Sequence, residues 1–324
     1  MAETPGPRIG VTLGEAVGIG PEVIVEALAT LPPDVSATVY SQAAVWEVAR
    51  ERLAGSVRPR VRFVAVASSG GERLPGHSDA QSRFDAFVAL EALADAAVAG
   101  DIDAMLTGPV PKAIFIHLPA PPAGQTEYLA ARLGARRFAM MLAGPRLRVV
   151  PVTTHLPLRR VADVLTTEAI FEASMAAEAD LRAVFGMAAP RLGICGLNPH
   201  AGEGGRFGDE EARLIAPAIA ALRAAGVDAV GPLAADTAFR AGYLGEFDAI
   251  VAMYHDQALG PLKTVHFADA VNFTCGLPVP RVSPDHGTAY DRAGQGSADP
   301  QSAIAALALA CRAARARQRA EAAA

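Results

Sequence analysis

The sequence predicts an α/β protein built on a mixed, largely parallel sheet. Strand-like apolar runs alternate with helical patterns along the whole chain, and two neighbouring runs are joined by a turn that suits a hairpin. No period of roughly 20–50 residues repeats, which excludes a solenoid or propeller. In order, Arg8–Leu13 reads as a strand, followed by a glycine turn and a helix opening at Pro21, with Val23, Ile24, Ala27 and Leu28 as its apolar stripe. Further strands are expected at Ala37–Tyr40, Val61–Val66, Ala104–Thr107, Phe138–Leu142, Leu147–Val152, Leu192–Cys195 and Ala249–Met253. Helices are expected at Ala43–Leu53, Phe84–Ala99, Glu168–Phe185, Glu210–Ala225 and Ala303–Ala314. The turn Ala143-Gly144-Pro145-Arg146 supplies the hairpin, so part of the sheet is antiparallel. Pro119–Pro122 is the candidate crossing between lobes.

Composition narrows the function. With 324 residues, 51% hydrophobic and 19% charged, the chain can bury a sizeable core as two α/β lobes or one large domain, which excludes a disordered protein. No apolar stretch is long enough for a membrane span, and Met1–Pro5 lacks the basic and apolar regions of a leader. Cys195, Cys275 and Cys311 are too scattered for a disulfide framework and suit a reducing cytoplasm. Net charge is −5, and the one basic cluster, Arg312 to Arg319, reads as a solvated helix end rather than a nucleic-acid arm. An acidic chain that takes an anionic substrate must concentrate its positive charge locally. Lys occurs only at positions 112 and 263, and Asn only at 198 and 272. Where Arg serves nearly everywhere, a retained Lys points either to a need for a compact, tunable ammonium or to chance survival.

His155, His200 and His255 each follow an apolar run, at the strand ends where open α/β sheets bind ligands. Three imidazoles with an open position describe a catalytic metal site, although their separations match no local zinc signature and three hydrogen-bonding loop histidines are the simpler account of spacing alone. Lys263, Asn272 and Arg281 follow His255 and are spaced nine residues from one another; they could line an anion pocket or be surface polar residues. The glycine-rich loop Asp285-His286-Gly287-Thr288-Ala289 could bring backbone amides to a nucleotide or be a turn before a last helix capped by Asp299 and Pro300. The loop Gly14-Glu15-Ala16-Val17-Gly18-Ile19-Gly20 lacks dinucleotide-fingerprint spacing and reads as a tight strand-to-helix turn.

The runs GLNPHAGEGGRFGDEE, MYHDQALGPLKTVHFADAVNFTCGLPVPRVSPDHGTA, GPLAADTAF, TGPVPK and GQTEYLA together resemble the 4-hydroxythreonine-4-phosphate dehydrogenase family. That resemblance implies the two-lobed isocitrate/isopropylmalate dehydrogenase-like fold with the active site in the interlobe cleft. The expected lobes are residues 1–125 with 285–324, and 126–284. It implies oxidation of 4-phosphooxy-L-threonine by NAD or NADP, followed by decarboxylation, on the route to pyridoxine 5'-phosphate. His155, His200 and His255 match the family's metal ligands, shared across a homodimer, for one divalent ion (zinc first, with magnesium or cobalt as alternatives). Gln125, Thr126, Lys263, Asn272 and Arg281 match substrate positions, and Asp285, His286, Gly287, Thr288 and Ala289 resemble an adenine-side loop. Lys263 is then the candidate proton carrier, and Asp236 and Asp256 are candidates for orienting the ligands, with helix-capping or surface roles as the alternative.

Two departures stand out. Gln125 replaces the family's usual His and can neither titrate nor carry charge, which leaves open threonate or erythronate 4-phosphate as substrate. Ala16 replaces the usual proline. A metal-dependent lyase or hydrolase without nicotinamide, and a non-catalytic anion-binding protein, are the readings from other classes.

Overall fold

The computed structural model describes residues 6–53, 55–71 and 73–323, so Met1–Pro5 lie outside it. Contacts divide the chain into Met1–Gly134 with Pro278–Ala324, and Ala135–Leu277. The first unit opens with β1 (Arg8–Thr12), α1 (Gly20–Leu28), β2 (Ser36–Ser41), α2 (Ala43–Arg50), β3 (Val61–Ala65), α3 (Ala80–Ala99), β4 (Ala104–Thr107) and α4 (Gln125–Arg132). The second holds β5 (Ala139–Ala143), β6 (Arg148–Pro151), α5 (Val161–Val164), α6 (Thr167–Ala183), β7 (Arg191–Cys195), α7 (Ala216–Ala224), β8 (Asp228–Leu233), α8 (Ala235–Tyr243), β9 (Ala249–Ala252), α9 (His255–Val265) and β10 (Val271–Cys275). The chain then returns to the first unit with β11 (Arg281–Pro284) and α10 (Gln301–Ala323).

In the first unit the strands lie in the order β3-β2-β1-β4-β11, all parallel. The central strand reads as continuous apolar sequence because both of its faces are covered, with Ile9 and Val11 fully buried. Helix α3 starts sharply because Asp79 and Ser82 form a capping box, and it stops at Gly100, whose φ of 76° suits glycine. In the second unit the order is β10-β5-β6-β9-β7-β8. Here β10, β5 and β6 pair antiparallel and the rest are parallel, so the hairpin at Gly144–Arg146 is present and the sheet is mixed, as expected. Its core gathers Leu142, Val149, Cys195, Ile250, Ala258 and Leu262.

Several elements escaped the sequence reading for identifiable reasons. Strand β8 carries Gly231 and Pro232, which argue against a strand, yet it is an edge, where Pro is tolerated. Helix α9 contains Gly260 and Pro261, so its segment reads as loop. Pro119–Pro122 lies inside the first unit; the chain passes between units after Gly134 and after Leu277. Thr126 and Arg281, expected in the second lobe, fall in the first unit. Among the described residues no helix is long and apolar enough to cross a membrane.

Candidate functional site

In the second unit, His155 follows β6 and His255 is the first residue of α9. Their rings stand 5.5 Å apart between centroids and line one cavity of about 520 Å³ with Thr154, Leu158 and Tyr254. Nδ1 of His255 lies 2.6 Å from Asp256 Oδ1, the arrangement that fixes an imidazole tautomer and leaves Nε2 for a ligand. The corner is held by Gln257, whose Oε1 accepts from Met253 N (2.6 Å) while Nε2 donates to the Gly196 carbonyl (2.8 Å).

His200 sits elsewhere in this unit, in the turn Pro199–Gly205 after β7. His200, Ala201 and Glu203 all adopt positive φ (52°, 52° and 42°), a conformation non-glycine residues rarely take. Buried Glu211 makes the turn possible. Its Oε1 accepts from Leu197 N (2.8 Å) and Asn198 N (2.7 Å), and its Oε2 accepts from Asn198 Nδ2 (3.1 Å). Gly202, at a φ of 77°, lies in the left-handed region that favours glycine, and a Cβ there would approach Glu211 Oε2 to 2.6 Å. Among the described residues no group of three His, Cys, Asp or Glu side chains surrounds a common point. Among the described residues His155 and His255 are thus brought together, and His200 does not join them in one group. Asp236 is exposed in the first turn of α8.

Lys263 and Asn272 complete the second unit's candidates. Lys263, on α9, is half-buried with Nζ 5.7 Å from the Phe267 ring centroid. Asn272, on β10, has a buried Oδ1 with no hydrogen-bond partner.

In the first unit Gln125 and Thr126 open α4. Thr126 is buried, and Gln125 Oε1 is buried without a partner. Arg281 leads β11 and is 3% exposed; its Nε donates to Thr107 Oγ1 at 2.8 Å. Burial lowers its pKa to about 10, against the favourable charge of Glu127, so it stays cationic at neutral pH. The loop after β11 is pinned by Ser302 Oγ, which accepts from Asp285 N (2.9 Å), and by Ile19 N, which donates to the Thr288 carbonyl (2.9 Å). His286 Nε2 is buried without a partner, Gly287 faces open space, and Ala289 holds a left-handed φ of 41°. An orphaned ring nitrogen beside an uncrowded glycine suits a nucleotide approaching this backbone. Sequence reasoning missed Glu211 and Gln257; Glu211 lay within a quoted motif, but nothing in one sequence separates a buried acid from a solvated one.

The fold is that of the β-decarboxylating dehydrogenases: such an enzyme from Thermococcus kodakarensis aligns over 94% of this chain and 82% of its own with a TM-score of 0.51, at 17% identity, a likeness of fold alone. The isocitrate/isopropylmalate dehydrogenase-like architecture expected from the resemblance is thus met. Residues 16–310 match the family model described as pyridoxal phosphate biosynthetic protein PdxA, and the chain belongs to that family. A 4-hydroxythreonine-4-phosphate dehydrogenase from Desulfosudis oleivorans is 44% identical, covering 94% of this chain and 96% of the relative. The Klebsiella pneumoniae crystal structure of that enzyme covers 95% of this chain and 100% of its own, with TM-score 0.82 and 36% identity. A terephthalate 1,2-cis-dihydrodiol dehydrogenase from Burkholderia xenovorans also aligns, with TM-score 0.67 and 30% identity over 95% of this chain and 98% of its own.

Proposed function

We propose that this chain oxidises the secondary alcohol of 4-phosphooxy-L-threonine, passing hydride to NAD or NADP. The product, 2-amino-3-oxo-4-phosphooxybutanoate, loses carbon dioxide to give 3-amino-2-oxopropyl phosphate on the route to pyridoxine 5'-phosphate. Membership of a dehydrogenase family supports the reaction class. The observation that carries the residue assignment is that Gln125, Asn272 and His286, all read from sequence as ligand-binding, each keep a buried polar atom unpartnered. Such atoms cost about 1–3 kcal/mol apiece unless a ligand satisfies them.

In this reading Arg281 and Lys263 hold the substrate's phosphate and carboxylate, and Thr126 adds its hydroxyl at the start of α4. Gln125 and Asn272 orient the substrate through neutral hydrogen bonds. Lys263 carries the proton between the reacting group and solvent. The backbone of Asp285–Ala289 receives the adenine side of the cofactor. One divalent ion, held by His155, His200 and His255 drawn from two copies of the chain, would supply the positive charge that acidifies the substrate hydroxyl. Exposed Leu158, which lines the cavity with His155, and exposed Phe207, whose ring faces His200, support a second copy covering these segments. Asp256 keeps His255 oriented, and Asp236 is assigned the same role toward a ligand. All three cysteines are free and buried, which fits a cytoplasmic site of action.

A second reading keeps the chemistry and changes the acid to threonate or erythronate 4-phosphate. Gln125, which cannot carry the charge of an imidazolium, favours it. The test follows reduced-nicotinamide absorbance with each phosphorylated acid, with NAD or NADP and with zinc, magnesium or cobalt. Preference for 4-phosphooxy-L-threonine is expected. Turnover confined to threonate or erythronate phosphate selects the second reading, and product formation without nicotinamide reduction points to a lyase or hydrolase.

A further inference from the structure

Glu15 is completely buried in the Gly14–Gly20 loop after β1. Its N–H donates to the Pro109 carbonyl at 3.0 Å, which fixes the backbone just past β4. Its carboxylate accepts three hydroxyls. Oε1 takes Ser78 Oγ at 2.7 Å and Ser82 Oγ at 2.6 Å, and Oε2 takes the Tyr290 hydroxyl. These come from the segment before α3, the first turn of α3, and the residue directly after the Asp285–Ala289 loop. Main-chain bonds run alongside: Ile19 N to the Thr288 carbonyl (2.9 Å) and Gly76 N to the Val17 carbonyl (2.7 Å). The packing leaves no slack, since a Cβ on Gly18 would lie 2.8 Å from Thr288 O, and one on Gly76 2.9 Å from Tyr290 O.

The strained residue of the loop, left-handed Ala289, lies between Thr288 and Tyr290, and these are the two that this network grips. A backbone state that costs of order 1–3 kcal/mol persists only where its surroundings impose it. A buried carboxylate is itself costly unless both oxygens accept hydrogen bonds. The two costs are met by one set of contacts.

We propose that Glu15 is a positioning residue for the nicotinamide cofactor: through Tyr290 and the loop it shares with Thr288, it holds the His286–Ala289 backbone in the shape that accepts the nucleotide, without touching it. The inference rests on the cofactor role proposed above for Asp285–Ala289.

The test titrates the full chain with NADH and NADPH by fluorescence, beside steady-state kinetics. Tyr290→Phe is expected to weaken reduced-cofactor binding about tenfold, the loss of one charge-assisted hydrogen bond. The cofactor KM should rise in parallel, while kcat and the KM for the phosphorylated acid stay within about twofold. Glu15→Gln should do the same, and the double variant should bind no more weakly than Glu15→Gln alone. Unchanged cofactor affinity in both single variants overturns the proposal, as do losses that multiply in the double variant. Should Glu15→Gln not fold, Tyr290→Phe alone decides. A wild-type chain that binds no reduced nicotinamide refutes the cofactor reading itself, and the inference with it, before any variant is made.

Discussion

Asp180 gives the prediction whose size follows most directly from the structure. It lies on α6, partly buried, and Oδ2 accepts from Gly276 N at 2.6 Å in the turn after β10. Burial raises its pKa from 3.8 to about 6, and the Gly276 hydrogen bond only partly offsets this. An acid with a raised folded-state pKa stabilises the fold most while protonated. The benefit is complete below the unfolded pKa near 4 and disappears as pH rises through 6. Roughly two pH units at about 1.4 kcal/mol each put the full change near 3 kcal/mol. Asp180→Asn keeps an oxygen acceptor for Gly276 N and removes the charge. It should therefore match the wild type near pH 4 and exceed it by up to about 3 kcal/mol above pH 7. Calorimetric scans of both proteins from pH 4.5 to 8 measure this as a Tm gap that opens with pH. Parallel curves across that range would refute the reasoning, because they would mean that the carboxylate ionises in the fold as easily as in water.

The remaining predictions concern the site. His200→Ala is expected to abolish metal-dependent turnover and to lower the metal retained after gel filtration; full nicotinamide reduction in that variant rejects the ligand assignment. Glu211→Gln, which leaves His200 in place but loosens its turn, should cost about 10- to 100-fold in metal affinity, read by titration with zinc. Lys263→Ala should raise the substrate KM or lower kcat by roughly 10- to 100-fold while metal content stays at the wild-type level. Gln125→His should make the substrate KM fall several-fold as pH drops below about 6.5, where a new imidazolium appears; a pH profile identical to the wild type rejects contact with the substrate's anionic groups.

Most of the parallel framework was legible because strands such as β1, β4 and β9 are buried on both faces and read as unbroken apolar runs. Strands β10 and β11 were not, because Asn272 interrupts the apolar pattern of one and Arg281 opens the other with a charge. The same holds for α9, where Gly260 and Pro261 conceal a helix with His255 in its first turn and Lys263 in its last. The site residues were legible chiefly through resemblance. Spacing alone did not distinguish three metal ligands from three loop histidines, and among the described residues His155 and His255 are brought together without a third such side chain.

The scarce residues show how far composition can be read. Of the two asparagines, Asn272 carries an unsatisfied buried oxygen, as a ligand-binding residue should. Asn198 instead donates through Nδ2 to Glu210 (2.8 Å) and Glu211 (3.1 Å) and so shapes the turn that carries His200. Aspartate there would have no donor and would add charge against two acids. Of the two lysines, Lys263 lies half-buried on the helix of His255, whereas Lys112 is exposed in a turn after β4. Rarity thus coincides with an open acceptor at Asn272 and with a satisfied donor at Asn198, and marks nothing comparable at exposed Lys112. Only the satisfaction of the polar atoms separates the two cases: the amide of Asn198 has its hydrogen bonds met inside the fold and shapes a turn, whereas Asn272 keeps an open acceptor, as the proposed substrate contact requires.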